Sequence, residues 1–260
     1  MRILFLADVF GPPGRQAVEE HLASIRADRK IDFCVVNGEN AADGAGITAR
    51  LARRLLEAGA DVVTTGNHAF RQKNSTSLYS EVANVLRPAN ISAPGVPGTG
   101  TTIAKAANGL DVAVINLQGA LFMSTPTHPF LIVDGLVDEA LRTTPLVVVD
   151  FHAEATSEKI ALAQHLDGRA TAVFGTHTHV QTNDARVLPG GTAAITDAGM
   201  CGPHDSVIGV ESDLAIQRMR TGLPVRFRPA TGGVRLEGAL FECDPASGRA
   251  LSCEAFRVDG

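Results

Sequence analysis

The sequence predicts an α/β fold, a layered sandwich. Short apolar runs in the first part are each followed by a Gly-containing polar turn and a helix-like stretch. Strand-like runs continue through the middle of the chain, and the last part alternates apolar and polar residues as an antiparallel hairpin does. A strictly repeating barrel would keep helix and strand alternating to the end, and this pattern does not.

Taken in order, residues 2–7 and 33–37 are apolar runs rich in Ile, Leu, Val and Phe and read as strands. A helix is expected over 16–27, with Val18, Leu22 and Ile25 on one face. A second is expected over 49–58, with Thr48 as its N-cap and Gly59 as its stop. Further strands are expected at 61–64, 101–106, 112–116, 146–151, 170–174 and 193–196, with Asn108-Gly109 as a hairpin turn. Residues 234–258 form the final hairpin around a turn at 244–248, so the first half is expected to be more parallel than the second. Residues 94–100 and 124–129 read as loops, no repeat or linker is visible, and one domain over 1–260 is expected.

Composition narrows the setting. No stretch approaches the roughly 18 to 20 apolar residues of a membrane span, so no membrane association is expected. The opening MRILFLADVF reads as a buried strand and not as an export signal. Cys34, Cys201, Cys243 and Cys253 show no CxxC spacing, which points to a reducing, cytoplasmic environment. A formal charge of −5 with dispersed basic residues lacks the footprint of a long nucleic acid and suits a small anionic ligand. A homo-oligomer is compatible with all of this.

The chemistry collects at strand ends. Asp8 follows ILFLA, Glu39-Asn40 follows CVVNG, Asn67-His68 follows VVTTG, His152 follows LVVVDF, and His177 and His179 follow AVFGT. Taken singly, Asp8 reads as a turn or cap residue and Asn67 as a turn residue. His177 and His179 stand at i and i+2, and on an extended chain both would face one side and reach a metal pair. Taken together, the residues supply what two divalent ions about 3.5–4 Å apart require: a bridging carboxylate, neutral ligands and open positions.

The order Asp8, Gly38-Glu39-Asn40, Gly66-Asn67-His68, His152, Gly175-Thr176-His177-Thr178-His179 resembles that of the calcineurin-like metallophosphoesterases. It departs from the usual pattern at Phe10, where Asp-x-His would place a histidine, at Glu39, where an Asp is usual, and at the Thr before His177. Glu39-Asn40 in that place, with Asp8-Val9 and Thr196-Asp197-Ala198-Gly199-Met200, resembles the YmdB-like branch. The resemblance implies an α/β/β/α sandwich of mixed sheets and a phosphodiesterase acting on cyclic nucleotides, 2′,3′-cyclic and with them 3′,5′-cyclic. It implies Asp8, Glu39, Asn40 and His179 on one ion, and Glu39, Asn67, His152 and His177 on the other. His68 would be the general acid, and a hydroxide held by both ions the nucleophile. The oxygen-rich first site suits Fe(II) or Mn(II) at least as well as Zn(II).

Other residues have weaker claims. His21 and His165 lie in helix-like segments, and His128 and His204 in loops that could cover the cleft. Asp150 and Glu154 flank His152 and could orient it, and Asp197 also stands at a strand end. Cys201 reads as a small buried thiol, and Gly11-Pro12-Pro13-Gly14-Arg15 and Gly44-Ala45-Gly46 as loops shaping the cleft. Two other functions use similar residues: an amidohydrolase-type metal hydrolase, which would want its HxH on the first strand of a barrel, and a nucleotide sensor that binds without turnover.

Overall fold

The computed structural model describes residues 1–260. The first part comprises β1 (Arg2–Leu6), α1 (Gly11–Arg29), β2 (Phe33–Asn37), α2 (Ala49–Glu57), β3 (Val62–Thr64) and α3 (Ser75–Glu81). The middle comprises β4 (Thr101–Lys105), β5 (Asp111–Gln118), α4 (Val133–Leu141), β6 (Val147–His152), α5 (Thr156–His165), β7 (Ala172–Thr176), β8 (Arg186–Val187) and β9 (Ala193–Ile195). The last part comprises β10 (Gly202–Pro203), α6 (Ser212–Thr221), β11 (Val234–Cys243) and β12 (Ala250–Asp259).

These strands form two six-stranded mixed sheets. In the first, β1, β2 and β3 are parallel, while β11 runs antiparallel to β1 and pairs β12 on its other side. The short β10 pairs the start of β11 where β1 has already turned away. In the second the order is β4-β5-β6-β7-β9-β8, parallel from β5 through β9 with an antiparallel strand at each edge. Parallel pairing therefore extends well past the midpoint of the chain, and the open, antiparallel-edged sheets exclude the barrel of an amidohydrolase-type hydrolase.

Strand periodicity sorts side chains into three cores. Ile3, Phe5, Phe33, Val35, Val62, Val114, Val148 and Phe174 fill the space between the sheets. Leu4, Leu6, Cys34 and Val36 face the other way, against Val18, Leu22, Leu51, Leu55 and Leu78 of the first three helices. Ile115, Val147, Val149 and Phe151 pack on Val133, Val137 and Leu162 of α4 and α5. The result is the α/β/β/α sandwich. No helix is long and apolar enough to cross a membrane.

Several local expectations change. α1 starts at Gly11, five residues before the expected position 16, with Pro at its first positions. Proline is suited there because its missing N–H is one of those a helix start leaves unpaired, so the Gly11–Arg15 segment is helix and not a cleft loop. α2 begins as expected, with the Thr48 hydroxyl accepting from the Leu51 N–H at 3.4 Å. β7 lies two residues later than 170–174, which brings His177 directly to its end. The short α3 has few apolar residues to bury, α6 buries only Ala215, and α5 buries Glu158 and Lys159 beside Leu162 and Ala163, which blurs its helical pattern.

Phe174 lies at the centre of the inter-sheet core, fully buried, with ring centroids 4.9 Å from Phe5 and 5.2 Å from Phe241. Replacing it with Ala should lower the unfolding free energy by about 3–5 kcal/mol, read from the denaturant midpoint, through lost burial and an unfilled cavity. A loss below about 1 kcal/mol would mean that the two sheets do not depend on this contact.

Candidate metal centre

At one end of the inter-sheet core the inward-facing positions change from apolar to polar. The series Phe33-Val35 continues to Asn37, Val62 to Thr64, Val148 to Asp150 and His152, and Phe174 to Thr176. These are C-terminal ends of parallel strands, so loops from both sheets meet there. All eight residues singled out from the sequence gather at this rim.

The backbone turns sharply to deliver them. Asp8 follows β1 at φ 27, a left-handed conformation that Asp tolerates better than most residues. This turn takes the chain away from β11: Ala7 N–H still bonds Glu237, whereas Val9 N–H bonds Asn37 at 2.8 Å. Gly66 brings the backbone so close that a Cβ would stand 2.2 Å from the His152 ring and 2.3 Å from Glu39 Oε2, so only glycine fits in Gly66-Asn67-His68. The expectation of an extended His177-Thr178-His179 is wrong. β7 ends at Thr176, and His177 and His179 lie beyond it at φ 104 and 62. The turn sends the two imidazoles to different places, a result that strand alternation would not give.

One set of ligand-type atoms is tight. His152 Nε2 has Asn67 Oδ1 at 3.0 Å, Glu39 Oε1 at 3.1 Å and His177 Nδ1 at 3.1 Å. Donor atoms from Glu39, His152 and His177 all lie within 4.8 Å of one another. Ligands sharing an ion at about 2.1 Å stand roughly 3.0–3.4 Å apart, so this spacing matches a coordination shell. The second set is looser: His179 Nε2 is 3.9 Å from Asp8 Oδ1 and 3.0 Å from Asn40 Nδ2. His68, partly exposed, brings Nδ1 to 2.8 Å from Asn40 Oδ1 and 3.2 Å from Glu39 Oε1.

Neighbouring groups orient the imidazoles. Thr176 Oγ donates to Asp150 Oδ1 at 2.8 Å and so accepts from His152 Nδ1 at 2.9 Å, which leaves Nε2 as the ring nitrogen that faces Glu39. Asp150 also accepts from Asn37 at 2.8 Å and from the Thr64 hydroxyl. It thus acts on His152 through Thr176 and not by direct contact. Glu154 instead reaches His177, with Oε2 3.1 Å from Nε2. His179 donates from Nδ1 to the Ile208 carbonyl at 2.9 Å, freeing its Nε2. Asp197 accepts from Thr178 N–H and Oγ at 3.1 and 2.7 Å and pairs with buried Lys159 at 2.6 Å, pinning the turn between the two histidines. Thr176, Thr64, Asn37, Thr178 and Lys159 were missed in the sequence. Their only signal is a polar residue where strand or helix periodicity calls for an apolar one.

Electrostatics shows that the site fits cations. Asp8 Oδ1 is buried without a hydrogen-bond donor, a costly state for a carboxylate, and buried Glu39 Oε1 has only the His152 and His68 imidazoles facing it. Burial pushes the Asp8 carboxyl up, more than His179 and His152 offset. Burial opposes ionisation of Glu39 as well, but His152 and His68 hold it well below the usual range. Burial disfavours the charged form of His152, yet Glu39, Asp8 and Asp150 raise its pKa to about 9, while burial and then His152 push His177 down to about 3. One proton on His152 thus balances carboxylates that a metal ion would balance better. Burial raises Asp150 to about 6 against its hydrogen bonds, and Cys201 goes well above the thiol range, as an inert buried thiol should. His128 stacks near Phe130 and His204 bonds the Met200 carbonyl, so neither covers the cleft.

The profile of the YmdB-like protein family matches residues 4–256. The chain belongs to that family. A Bacillus subtilis member, the 2′,3′-cyclic-nucleotide 2′-phosphodiesterase, is 47% identical over 259 residues, covering 100% of this chain and 97% of the relative. Among solved structures, a hypothetical protein from Thermus thermophilus superposes with a TM-score of 0.91 at 42% identity, covering 100% of this chain and 99% of that one. A phosphatase from Mycoplasma pneumoniae gives 0.91 at 35% identity, covering 100% and 93%. The YmdB-like relationship therefore spans the whole α/β/β/α sandwich.

Thr176→Val removes both the acceptor for His152 Nδ1 and a donor to Asp150 while keeping the side chain's shape. It should weaken metal binding by roughly 10- to 100-fold, measured by equilibrium dialysis, with little change in secondary structure. Unchanged affinity would show that His152 is oriented by packing alone.

Proposed function

We propose that the protein hydrolyses nucleoside 2′,3′-cyclic phosphates at the P–O2′ bond, releasing nucleoside 3′-phosphates, with two divalent ions held at the rim of the inter-sheet core. Its full-length relationship to the Bacillus subtilis enzyme makes it a phosphodiesterase, and the substrate printed in that enzyme's name supports the cyclic nucleotide. The observation that carries the reading is the convergence of Asn67, Glu39 and His177 on His152 Nε2 at 3.0–3.1 Å, beside a buried, unpartnered Asp8 oxygen.

Asn67, His152 and His177 would hold one ion, Asp8, Asn40 and His179 the other, and Glu39 both. Bound there, the ions supply an activated water and a positive field for the phosphoryl oxygens. Imidazole donors in each set, with oxygen predominating in the Asp8, Asn40, His179 set, favour Fe(II) or Mn(II), with Zn(II) also compatible. As oriented, Asn40 turns Nδ2 toward His179 and Oδ1 toward His68. Rotation of the amide about its Cβ–Cγ bond exchanges the two atoms in place. Oδ1 then faces the position of the ion shared with Asp8 and His179, and Nδ2 donates to His68 Nδ1. The His68 proton then resides on Nε2, which has no protein partner, at the floor of the cleft.

That proton serves the leaving oxygen. A ribose 2′-alkoxide is strongly basic and departs only as it is protonated, and His68, held at Nδ1 by Asn40, presents Nε2–H to it. Arg71, also on the cleft wall, pairs with no carboxylate and leaves a single free guanidinium there, in keeping with a diester monoanion.

Two measurements test this. His68→Ala should retain both metals and lose about 10²–10⁴-fold on 2′,3′-cyclic AMP, but distinctly less on a nitrophenyl phosphodiester, whose leaving group needs no proton. Equal losses with full metal content would remove the general acid role, and tight nucleotide binding by the wild type with no turnover would favour a sensor. Metal-free protein should be reactivated by Mn(II) or Fe(II) and poorly by Mg(II), which prefers an all-oxygen octahedral shell. Equal reactivation by Mg(II) would remove the histidines from the ligand set.

A further inference from the structure

The cleft above the centre, about 470 Å³, has the size of a small-molecule site. Glu39, Asn40, His68, His177 and His179 line its floor, and its wall on one side is apolar, built from Ile208, Val210, Phe227 and Pro229. Apolar side chains on a cleft wall have no part in hydrolysing a phosphodiester, so the wall needs its own explanation. Phe227 is 49% exposed and Ile208 52% exposed, both open to the cleft.

The wall is firmly built. Its two segments are joined by backbone bonds from Glu211 N–H to the Arg228 carbonyl at 3.0 Å and from Ala230 N–H to the Gly209 carbonyl at 2.9 Å. The Arg228 guanidinium donates to Glu211 at 2.8 Å, which ties the two segments together through side chains as well. Ile208 stands at φ 47, a left-handed conformation that a β-branched residue rarely adopts. Its carbonyl accepts from His179 Nδ1 at 2.9 Å, so the strained residue ties the wall to an imidazole of the centre. A phosphate at the floor and a planar group against the wall would thus be held at a set separation.

We infer that Phe227, with Ile208 on the same wall, is the platform on which the nucleobase lies, and that this contact gives the enzyme a preference for nucleoside over simple cyclic phosphates. The inference rests on the proposed cyclic-nucleotide hydrolysis and adds the residue that selects the substrate. The platform reads no base edge. Stacking accepts every base, because each has a π face, and favours the larger purines. Phe227 therefore acts on KM and selectivity and leaves the proton and metal chemistry to the floor.

The test compares 2′,3′-cyclic AMP with glycerol 1,2-cyclic phosphate, which has the same type of reacting five-membered diester ring but no base. Phe227→Ala should raise KM for the nucleotide and lower the nucleotide-to-glycerol ratio of kcat/KM by about tenfold or more, the range expected for losing one stacked base. Phe227→Trp should keep the ratio, and metal content should be that of the wild type in both variants. A ratio in Phe227→Ala within about twofold of wild type, with the wild type active on the nucleotide, would overturn the platform and leave the proposed hydrolysis standing. A wild type that cleaves neither cyclic phosphate in its Mn(II) form would overturn both.

Discussion

The arrangement of this site depends on the buried carboxylate of Asp150. It sits on β6 inside the inter-sheet core and accepts hydrogen bonds from Asn37 of β2, Thr64 of β3 and Thr176 of β7. These partners come from both sheets, so one charged group sets the spacing of the layers at the point where the apolar core ends. The Thr176 hydroxyl passes that constraint to His152, holding Nδ1 so that Nε2 faces the centre. A buried carboxylate is stable only when its acceptors are filled, and this requirement places three polar side chains where packing alone would prefer apolar ones.

From there the site can be understood as a balance of charge. Asp8, Glu39, Asp150 and Asp197 are all buried, and only Asp197 has a fixed cation beside it, Lys159. The other three are compensated by imidazoles, above all by a proton on His152. Such a cluster has a reason to persist where cations bind. The geometry agrees, because the atoms crowded around His152 Nε2 are oxygen and nitrogen donors at the mutual distances of ligands on one ion. Asp197 and Lys159 have a different part: they stabilise the turn that separates His177 from His179.

Backbone strain is concentrated at the same rim. Asp8, His177, His179 and Ile208 all adopt positive φ, and each either offers a side chain to the centre or bonds one that does. His177 N–H donates to Asp8 Oδ2 at 2.9 Å, so two of these bends hold each other. The sheets below are regular and well packed, and that regularity sustains the strained rim. The apolar wall at Phe227 extends the rim outward and gives the cleft a second surface at a defined distance from the first.

Much of this protein was legible in its sequence because local rules govern it. Runs of Ile, Val and Phe marked the strands, Thr48 marked the start of α2, and the Asp8, Glu39-Asn40, Asn67-His68, His152 and His177/His179 series marked the rim, since ligands held by strand ends leave a trace in residue order. The start of α1 was misplaced because the Gly11-Pro12-Pro13 breaker residues are also good first-turn residues. The extended reading of His177-Thr178-His179 failed because turn conformation is imposed by partners distant in sequence: Asp8 on one side, Asp197 and Lys159 on the other. Which ring nitrogen of His152 faces the centre, how Asn40 is oriented and which residues wall the cleft were likewise decided only by tertiary structure. Residue types and their spacing determined what chemistry this chain carries. Long-range hydrogen bonds between strands of two sheets, which no local pattern encodes, decided where each atom of that chemistry points.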